Sequence, residues 1–553
     1  MRPGFRYAGG LLGGVLAGVV FAGLMLRLWP APPVLRRACP VMAERGASSP
    51  PPALRAAART VALDAGAVSV AKPAGLAEAS VQEAALAATP RSPVASPAIG
   101  AAVRPTPATA PAVTQVWSNR HHIASMLVHE EFLWVATHGG VERYGLHGGG
   151  QPLPKLVRVY TTLDGLDTLL VRHLVLLDDE LHARTDRALC SLRGERFLCE
   201  PAPSLPPAAP VTGPRFGGAR ETARLAHGAR RFVGTAGRGL WLDGESTPRL
   251  MSAPRQICSN HIMAMASHRG ALYLGSFDEG LCVKRPDGFE TIRAPFTMVN
   301  ALVSTPRGLY IATGRGLFVL PDDGRVRAVK ALRERGTNGL AYDGRSLFVT
   351  TPGALHRVRV DGGPPTRSWW TPAGSRSLQR VAVGGGKLWL ASEDRGAIFA
   401  RRQGRGYLFE SFDRMAGLPS SWALDISVDA VGRAYVATLR DGLVTIDRRR
   451  RVRRVGPSIE PWLLHVSNSS RGMWVGSQAG AALLDREGKT VALADLPDGR
   501  VHAIAEHEAM LFVGTEAGLL QRPLDLALDR PAPQRSRERS NETEIVAQRS
   551  HAG

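Results

Sequence analysis

The chain has 553 residues and a mass of 59.1 kDa, more than one ordinary domain contains. It has 60 Gly and 40 Pro but only 6% aromatic residues, which argues against a coiled coil or helical bundle along its whole length. A hydrophobic content of 44% excludes disorder throughout and allows a large core. The net charge is +21, and nearly all of the positively charged residues are arginine. Five cysteines are too few for a disulfide scaffold.

The N-terminus carries a predicted membrane segment. Twenty uncharged residues, 7–26, lie between Arg6 and Arg27, and a helix of that length spans the hydrocarbon core of a bilayer. An uncleaved signal anchor and a cleaved signal peptide both fit, and the bulky residues at the end of the segment favour the anchor. We predict a signal anchor at residues 1–28, with the membrane as one partner of the chain.

Residues 29–113 are predicted to form a disordered tether. There is no Phe, Trp or Tyr in residues 31–113, and Ala and Pro dominate. Such a segment cannot bury enough apolar surface to offset the entropy of ordering it. The polar tail, residues 531–553, is predicted to be disordered for the same reason, which leaves residues 114–530 as the folded domain.

One pattern recurs ten times in that domain. Three or four apolar residues precede a small residue, then Thr or Ser, a short polar turn, Gly and a second apolar run. The copy at Leu181-His-Ala-Arg-Thr185 is degraded. The Thr or Ser positions, 37 to 50 residues apart, are Thr137, Thr185, Thr235, Ser276, Thr313, Thr351, Ser392, Thr438, Ser477 and Thr515.

This repeat predicts a β-propeller. The apolar runs are rich in β-branched and aromatic residues, and the Gly between them marks a tight turn between two strands. Weaker strands between the copies bring each repeat to four strands, as in a propeller blade. We predict an all-β fold with a single closed β-propeller of eight to ten blades. Seven or eight regular blades, with the copy near Leu181 inserted or bulged, are the alternative.

The repeats also resemble a known family. Asp413-Arg-Met-Ala-Gly417-Leu418-Pro419-Ser420 is followed by Asp429-Ala-Val-Gly432 and Tyr435-Val-Ala-Thr438. This succession resembles the two-component regulator propeller repeat, which serves as the sensor region of many receptors. The resemblance covers residues 115–530 and implies a propeller of the sensor type. No kinase or DNA-binding module follows the last repeat, so the resemblance does not carry phosphotransfer signalling to this chain.

The sequence contains no motif for catalysis or metal binding. It has no GxSxG, P-loop, HExxH or CxxC pattern. His121 and His122 are adjacent, and adjacent residues of a strand point to opposite faces, so they are not expected to bind one metal ion together. We expect no catalytic residue, no metal, no cofactor and no nucleic-acid partner.

The cysteines suggest two disulfides. A hairpin with Gly194 and Glu195 at its tip pairs Cys190 with Cys199, in a non-hydrogen-bonded pair whose Cα atoms approach closely. Cys258 and Cys282 fall in one repeat and are candidates for a second bridge. Disulfides persist outside the reducing cytosol. We therefore expect a periplasmic propeller anchored in the inner membrane, or a secreted one if the N-terminal segment is cleaved.

The leading hypothesis for function is a non-enzymatic sensor or scaffold module that binds a protein, peptide or glycan, because a propeller offers variable loops on a rigid ring. A propeller lyase or hydrolase is the alternative, and a structural envelope scaffold is a third possibility. The turns after each Thr or Ser are predicted to share one face and to carry the binding residues. Those residues are His138, Arg187, Arg238, Asp278, Glu279, Arg315, Glu393, Asp394, Arg395, Arg440, Asp441, Gln478 and Glu516.

Overall fold

The computed structural model describes residues 114–528, except 147–153, 207–211, 213, 244–246, 253–254, 361–366, 456–461, 479, 486 and 495–498. Within this part of the chain the fold is all-β, with 41 strands in ten sheets and one short α-helix, Leu524–Leu528. Three short 3-10 helices, Thr162–Asp164, Pro372–Gly374 and Arg414–Ala416, lie between strands. No helix in it is long and apolar enough to cross a bilayer. The predicted anchor, the tether and the C-terminal tail lie outside the described residues.

The chain first forms a short strand, β1 (Gln115–Trp117), and then three sheets. Sheet 1 contains β2 (Ile123–His129), β3 (Phe132–Thr137), β4 (Gly140–Gly145) and β5 (Lys155–Tyr160). Sheet 2 contains β6 (Val171–Leu177), β7 (Glu180–Thr185), β8 (Ala188–Arg193) and β9 (Arg196–Pro201). Sheet 3 contains β10 (Arg215–Phe216), β11 (Ala219–His227), β12 (Arg230–Thr235), β13 (Leu240–Asp243) and β14 (Arg249–Leu250).

Seven four-stranded sheets follow. Sheet 4 contains β15 (Ile262–His268), β16 (Ala271–Ser276), β17 (Leu281–Arg285) and β18 (Gly288–Ile292). Sheet 5 contains β19 (Val299–Thr305), β20 (Gly308–Thr313), β21 (Gly316–Leu320) and β22 (Arg327–Arg333). Sheet 6 contains β23 (Gly339–Tyr342), β24 (Leu347–Thr351), β25 (Ala354–Val358) and β26 (Arg367–Trp370). Sheet 7 contains β27 (Leu378–Gly384), β28 (Lys387–Ser392), β29 (Gly396–Gln403) and β30 (Gly406–Phe412).

The last three sheets complete the series. Sheet 8 contains β31 (Ala423–Val428), β32 (Ala434–Thr438), β33 (Leu443–Ile446) and β34 (Val452–Val455). Sheet 9 contains β35 (Leu463–Ser469), β36 (Gly472–Ser477), β37 (Ala481–Leu484) and β38 (Thr490–Ala494). Sheet 10 contains β39 (Val501–His507), β40 (Met510–Thr515) and β41 (Gly518–Pro523), and its fourth strand is β1 from the other end of the domain.

The Thr and Gly of the repeat have a common structural role. The Thr137 hydroxyl donates a hydrogen bond of 2.8 Å to the carbonyl of Gly140, and Thr313 donates one of 2.7 Å to Gly316. Gly140 has a φ of 116°, and a Cβ atom there would lie 2.3 Å from the carbonyl oxygen of Tyr160. The hydroxyl closes the turn and only glycine fits behind it, which explains why both residues recur.

Sheets 4 to 10 contact one another in a cycle. The first strand of each sheet packs beside the first strand of the next, from β15 through β19, β23, β27, β31 and β35 to β39. β39 of sheet 10 then packs beside β15 of sheet 4. The approach is close, because a Cβ atom on Gly514 of sheet 10 would lie 2.6 Å from a side-chain carbon of Ile262 in sheet 4.

Sheets 1, 2 and 3 stack in a different order. β2 of sheet 1 packs beside both β6 of sheet 2 and β11 of sheet 3, so sheet 1 lies in the middle. Gly234 of sheet 3 approaches Ile123 of sheet 1 as closely as Gly514 approaches Ile262. The predicted single ring of eight to ten blades requires the principal contacts to run once through all the sheets. They do not, because sheets 1 to 3 lie outside the cycle that sheets 4 to 10 form. The reason is that Phe232 and Gly234 face sheet 1 instead of sheet 4.

The degraded repeat belongs to a sheet at the end of this stack. In sheet 1, Trp134 and Ala136 are buried against sheet 2. The corresponding residues of sheet 2 are His182 and Arg184, which are only half-buried, while Leu181 and Ala183 on the other face pack against sheet 1. Polar residues replace apolar ones because sheet 1 is the principal neighbour of sheet 2 and covers only one of its faces.

Candidate functional site

In sheets 1, 4, 7 and 8 the turn after the Thr or Ser is hydrogen-bonded to the residue that precedes the first strand of the same sheet. In sheet 1 the N–H of His138 donates to the carbonyl of His122 over 3.1 Å, and in sheet 4 Phe277 donates to His261 over 3.0 Å. The side chains follow the backbone. The rings of His122 and His138 stack with centroids 3.7 Å apart, and those of His261 and Phe277 lie 5.0 Å apart. Each such pair brings two side chains together at one end of its sheet.

A cavity of about 830 Å³ lies where sheets 1, 2 and 3 meet sheets 4 and 10. Its lining is mostly polar and contains imidazole, carboxylate and guanidinium groups. These side chains are His121, His122, His138, His261, Asp186, Asp278, Glu279, Glu516, Arg187 and Arg255. The cavity therefore offers both signs of charge within one partly open volume, which suits a polar ligand.

Two asparagines hold the two sides of the cavity together. Asn260 accepts a hydrogen bond of 2.5 Å from the N–H of Asn119, and the Asn260 amide donates to the carbonyls of Asn119 and His138 over 3.0 and 2.9 Å. The Asn119 amide in turn donates to the carbonyls of Ile257 and Cys258 over 3.1 and 2.7 Å. These bonds fix the segment before sheet 1 against the segment before sheet 4.

Burial keeps the cavity's imidazoles uncharged. It lowers the pKa of His138 to about 3, with smaller effects from His122 and Arg172, and it also lowers the pKa of His122. The pKa of His261 is lowered mainly by burial and then by His502. At neutral pH these rings are hydrogen-bonding groups and potential metal ligands, and they do not add positive charge to the cavity.

One group of side chains in and beside the cavity has the composition of a metal site. His261, His502 and Glu516 each offer a ligand atom, and the three atoms lie within 4.8 Å of one another. Nε2 of His502 is 3.4 Å from Oε1 of Glu516, and Nη1 of Arg500 is 3.0 Å from the same oxygen. Burial alone would raise the pKa of Glu516, but His502 and Arg500 hold it below its ordinary value.

The structure brings five of the thirteen predicted turn residues to this cavity. They are His138, Arg187, Asp278, Glu279 and Glu516, which follow the Thr or Ser of sheets 1, 2, 4 and 10. Asp278 accepts a hydrogen bond from the Ser259 hydroxyl. Burial and the neighbouring Asp278 raise the pKa of Glu279.

The other eight predicted residues follow the Thr or Ser of sheets 3, 5, 7, 8 and 9 and do not line the cavity. The Arg315 guanidinium donates to the carbonyl of Pro295, and Asp441 accepts a hydrogen bond from Arg454. The guanidinium of Arg440 lies over the Trp462 ring. Glu393 accepts a hydrogen bond from Ser377, and Asp394 accepts bonds from Ser375 and Ser392. Arg238 and Arg395 are exposed, and Gln478 is half-buried.

Sequence reasoning missed the residues on the other side of each turn. His122 and His261 occupy the same position of the repeat, immediately before the first strand, and Arg500 occupies it in sheet 10. Aligning the ten copies on their first strands would have put these three residues in one column. His502 had no such signal, because the residues at its position in other first strands, such as Ala124 and Met263, are not histidines.

Both predicted cysteine pairs are joined by disulfides in the structure. Cys190 lies opposite Cys199 in a hairpin whose register also pairs Leu192 with Phe197, as the Gly194 turn predicts. The second bridge joins Cys258 to Cys282, and Cys258 lines the cavity. It therefore ties the wall of the cavity to the third strand of sheet 4, β17.

The chain was compared with known proteins. No protein-family model matches it, and no curated protein matches it either. Solved structures similar to about three quarters of the chain include extracellular domains of putative one-component and hybrid two-component systems. One is the extracellular domain of BT4673 from B. thetaiotaomicron, described both as a putative one-component and as a putative hybrid two-component system. The identity is 12% and the TM-score 0.43, over 74% of this chain and 71% of that one.

Two further structures show a similar degree of likeness. The extracellular domain of BT3049, a putative hybrid two-component system of B. thetaiotaomicron, is 14% identical with a TM-score of 0.42, over 78% of this chain and 66% of that one. PorZ is a bacterial surface component of the type-IX secretion system of Porphyromonas gingivalis. It is 14% identical with a TM-score of 0.45, over 72% of this chain and 62% of that one.

Proposed function

We propose that this chain is an extracytoplasmic, non-enzymatic binding module of the sensor type, whose ligand occupies the cavity between sheets 1–3 and sheets 4 and 10. The ligand class is a polar protein segment, peptide or glycan. The observation that carries the proposal is the convergence of His138, Arg187, Asp278, Glu279 and Glu516 on one cavity, although they come from four sheets.

We further propose that sheets 4 to 10 form a closed seven-bladed propeller. Two observations support closure. β39 packs beside β15, and the N-terminal strand β1 supplies the fourth strand of sheet 10 by pairing with β41. Strand exchange of this kind joins the two ends of the domain within one sheet and covers the edge that β41 would otherwise expose. Sheets 1 to 3 are then an insertion of three further blade-like sheets between β1 and β15.

The proposed compartment rests on the cysteines and the N-terminus. Two disulfides support an oxidising environment, and the uncharged residues 7–26 support an inner-membrane anchor with the propeller in the periplasm. Protease treatment of spheroplasts tests this placement. Digestion of the propeller is expected, while protection in intact spheroplasts and digestion after lysis would place it in the cytoplasm.

The ligand site can be tested with a matched pair of arginines. Arg187 and Arg315 each follow the Thr of their repeat by two residues, and each backbone N–H donates to that Thr hydroxyl, over 3.3 and 3.1 Å. Only Arg187 lines the cavity. We expect a photo-crosslinking residue at position 187 to capture the ligand in the cell envelope, and the same residue at 315 to capture nothing.

A second variant pair completes this test. With the crosslinker at Glu279, Arg187→Glu is expected to reduce capture at least about tenfold, and Arg315→Glu to leave it unchanged. Equal capture at 187 and 315, or equal loss in the two charge-reversal variants, would show that the cavity is not the ligand site. Circular dichroism of both variants checks that the fold is retained.

A propeller lyase or hydrolase remains the second candidate, and one observation favours it. The cavity holds His261, whose pKa burial lowers, together with Glu279, whose pKa burial raises, so two groups of the kinds used in general acid–base catalysis line the same volume. If the captured ligand is released chemically altered, and His261→Ala or Glu279→Gln binds it without altering it, the protein is an enzyme. Unaltered release from the unmodified protein supports the binding module.

A further inference from the structure

We propose that His261, His502 and Glu516 form a binding site for a single Zn²⁺ or a similar borderline divalent cation at the seam between sheets 4 and 10. Two imidazoles and one carboxylate are a donor set that such ions prefer. Three protein ligands leave one coordination position for water or for an atom of a bound molecule, which is the arrangement of zinc sites that act on a ligand.

The distances fit such a site. In tetrahedral coordination with metal–ligand distances of about 2.0–2.1 Å, neighbouring ligand atoms lie about 3.3 Å apart. Nε2 of His502 and Oε1 of Glu516 are already 3.4 Å apart. The ligand atom of His261 lies within 4.8 Å of both, so its ring has to move closer to the other two ligands when an ion binds.

The backbone fixes the three ligands relative to one another. His261 directly precedes β15, His502 occupies the bulge of β39, and Glu516 directly follows β40. The N–H of Gly518 donates a hydrogen bond of 2.7 Å to the carbonyl of Asn260, which ties the Glu516 turn to the residue before His261. The ligands therefore come from three strands whose positions the sheets already determine, and little conformational entropy is lost when an ion binds.

The charges around the site work in both directions. Asp278 acts electrostatically on His261, and its carboxylate favours a cation there. Arg500 opposes one, because its guanidinium already contacts the Glu516 carboxylate over 3.0 Å. An ion would have to share that carboxylate with Arg500. If the three residues bind an ion, removal of the Arg500 charge should strengthen metal binding. No such effect is expected if the cluster has only a structural role.

Two of the three ligands, His261 and Glu516, also line the cavity, whereas His502 does not. An ion held by all three therefore lies at the wall of the cavity. Its fourth position is then accessible to a carboxylate, carbonyl or amine of a molecule inside. The inference uses the same cavity as the proposed function, but binding of the ion requires only the three ligands.

The test uses the full chain, stripped of metal with a chelator, in a Cys39→Ser background, because Cys39 is the one cysteine outside the two disulfides. Calorimetric titration with Zn²⁺ alone is expected to show one ion per chain. Substituting Co²⁺ should give the visible spectrum of a four-coordinate ion. His261→Ala, His502→Ala and Glu516→Gln should each weaken Zn²⁺ binding at least about tenfold.

Control variants separate this site from other histidines. His227→Ala changes an exposed histidine of β11 and should leave the affinity unchanged. His122→Ala and His138→Ala change the other imidazole pair of the cavity and should also leave it unchanged. Arg500→Gln should increase the affinity for Zn²⁺ by about two- to fivefold, which corresponds to the free energy of one surface ion pair.

Each remaining outcome would overturn the proposal. These outcomes are an absence of saturable binding, binding that survives both His261→Ala and His502→Ala, loss of binding in His122→Ala or His138→Ala instead, and weaker binding in Arg500→Gln. Melting temperatures measured without metal identify a variant that has failed to fold. If an alanine variant fails to fold, Glu516→Gln still tests the site, because it preserves the shape of the side chain. Since the titration contains no ligand, failure here would leave the capture experiment at Arg187 unaffected.

Discussion

The imidazole of His138 lies flat against that of His122, with ring centroids 3.7 Å apart and planes within 11° of parallel. Two stacked rings cannot both carry a proton without strong repulsion, and burial disfavours a charge on either one. Burial accordingly lowers the pKa of both groups, that of His138 to about 3. Arg172 lowers both values further, and Asp186 partly opposes this at His138. The pair is therefore a neutral, packed part of the cavity wall.

This pair predicts a loss of stability in mild acid. Below pH 6.5 the unfolded chain protonates His138, whereas the folded protein does not until about pH 3, so the free energy of unfolding falls as the pH falls through 6.5. At pH 5 the penalty from His138 is about 2 kcal/mol. Urea unfolding at pH 7.5 and pH 5 should show a smaller decrease for His138→Asn than for the unmodified protein. An equal decrease in both would exclude this role of His138.

A buried ion pair beside the cavity predicts a large loss of stability on truncation. Nε of Arg120 lies 2.8 Å from Oε1 of Glu142, and the Tyr144 hydroxyl donates to Oε2 over 2.9 Å. Glu142 is fully buried. Arg120→Met leaves its carboxylate without a counter-charge and should cost about 3–5 kcal/mol in urea unfolding. Arg315→Met, at an exposed turn, should change stability by less than about 0.5 kcal/mol.

The close packing of sheets 4 and 10 can be tested by placing a side chain between them. A side chain at Gly514 would meet Ile262 at 2.6 Å, so Gly514→Ala should destabilise the protein by about 1–3 kcal/mol through overpacking. Gly353 is the matched control, because a Cβ atom there meets nothing within 4 Å. Thermal melting should show a lower midpoint for Gly514→Ala only. Equal midpoints for the two variants would indicate that sheets 4 and 10 do not pack closely in solution.

The disulfides predict sensitivity to reduction. Cys190 and Cys199 close a loop with a sequence separation of 9, and Cys258 and Cys282 one of 24. In the chain-entropy description each bridge contributes about 3 kcal/mol. Dithiothreitol should therefore lower the melting temperature. The variant with Cys190, Cys199, Cys258 and Cys282 all changed to Ser should melt at that lower temperature whether or not reductant is present.

The repeat itself was readable from the sequence because its residues act locally. Thr137 and Gly140 close a turn within four residues, and the Gly194 turn fixes the register that brings Cys190 opposite Cys199. The ten copies set the upper limit of the predicted eight to ten blades, and the described part of the chain contains ten sheets. These features depend on neighbours in the chain, so a single sequence contains them.

The arrangement of the sheets was not readable, because it depends on which faces meet. Gly234 and Gly514 are equivalent in the repeat, yet the first contacts Ile123 of sheet 1 and the second contacts Ile262 of sheet 4. Nothing in the local pattern distinguishes the two partners. The polar His182 and Arg184 were the one sign of an end sheet, and in the sequence they are indistinguishable from the changes in a degraded copy. The three-residue cluster at His261 was equally hidden, since its members come from both ends of the sheet cycle.

The exchange of β1 into sheet 10 has a mechanical consequence. A pull on the residues before Gln115 acts first on the pairs that β1 makes with Gln521, Leu520 and Leu519, and on the hydrogen bond of 2.8 Å from the Trp117 indole to the Gln521 side chain. Any load carried by the preceding segment thus enters the protein at sheet 10, next to Glu516. Asn119, which bonds to Asn260 beside the cavity, lies two residues after the end of β1. A pull on the N-terminus would therefore reach the wall of the cavity through the three residues of this strand.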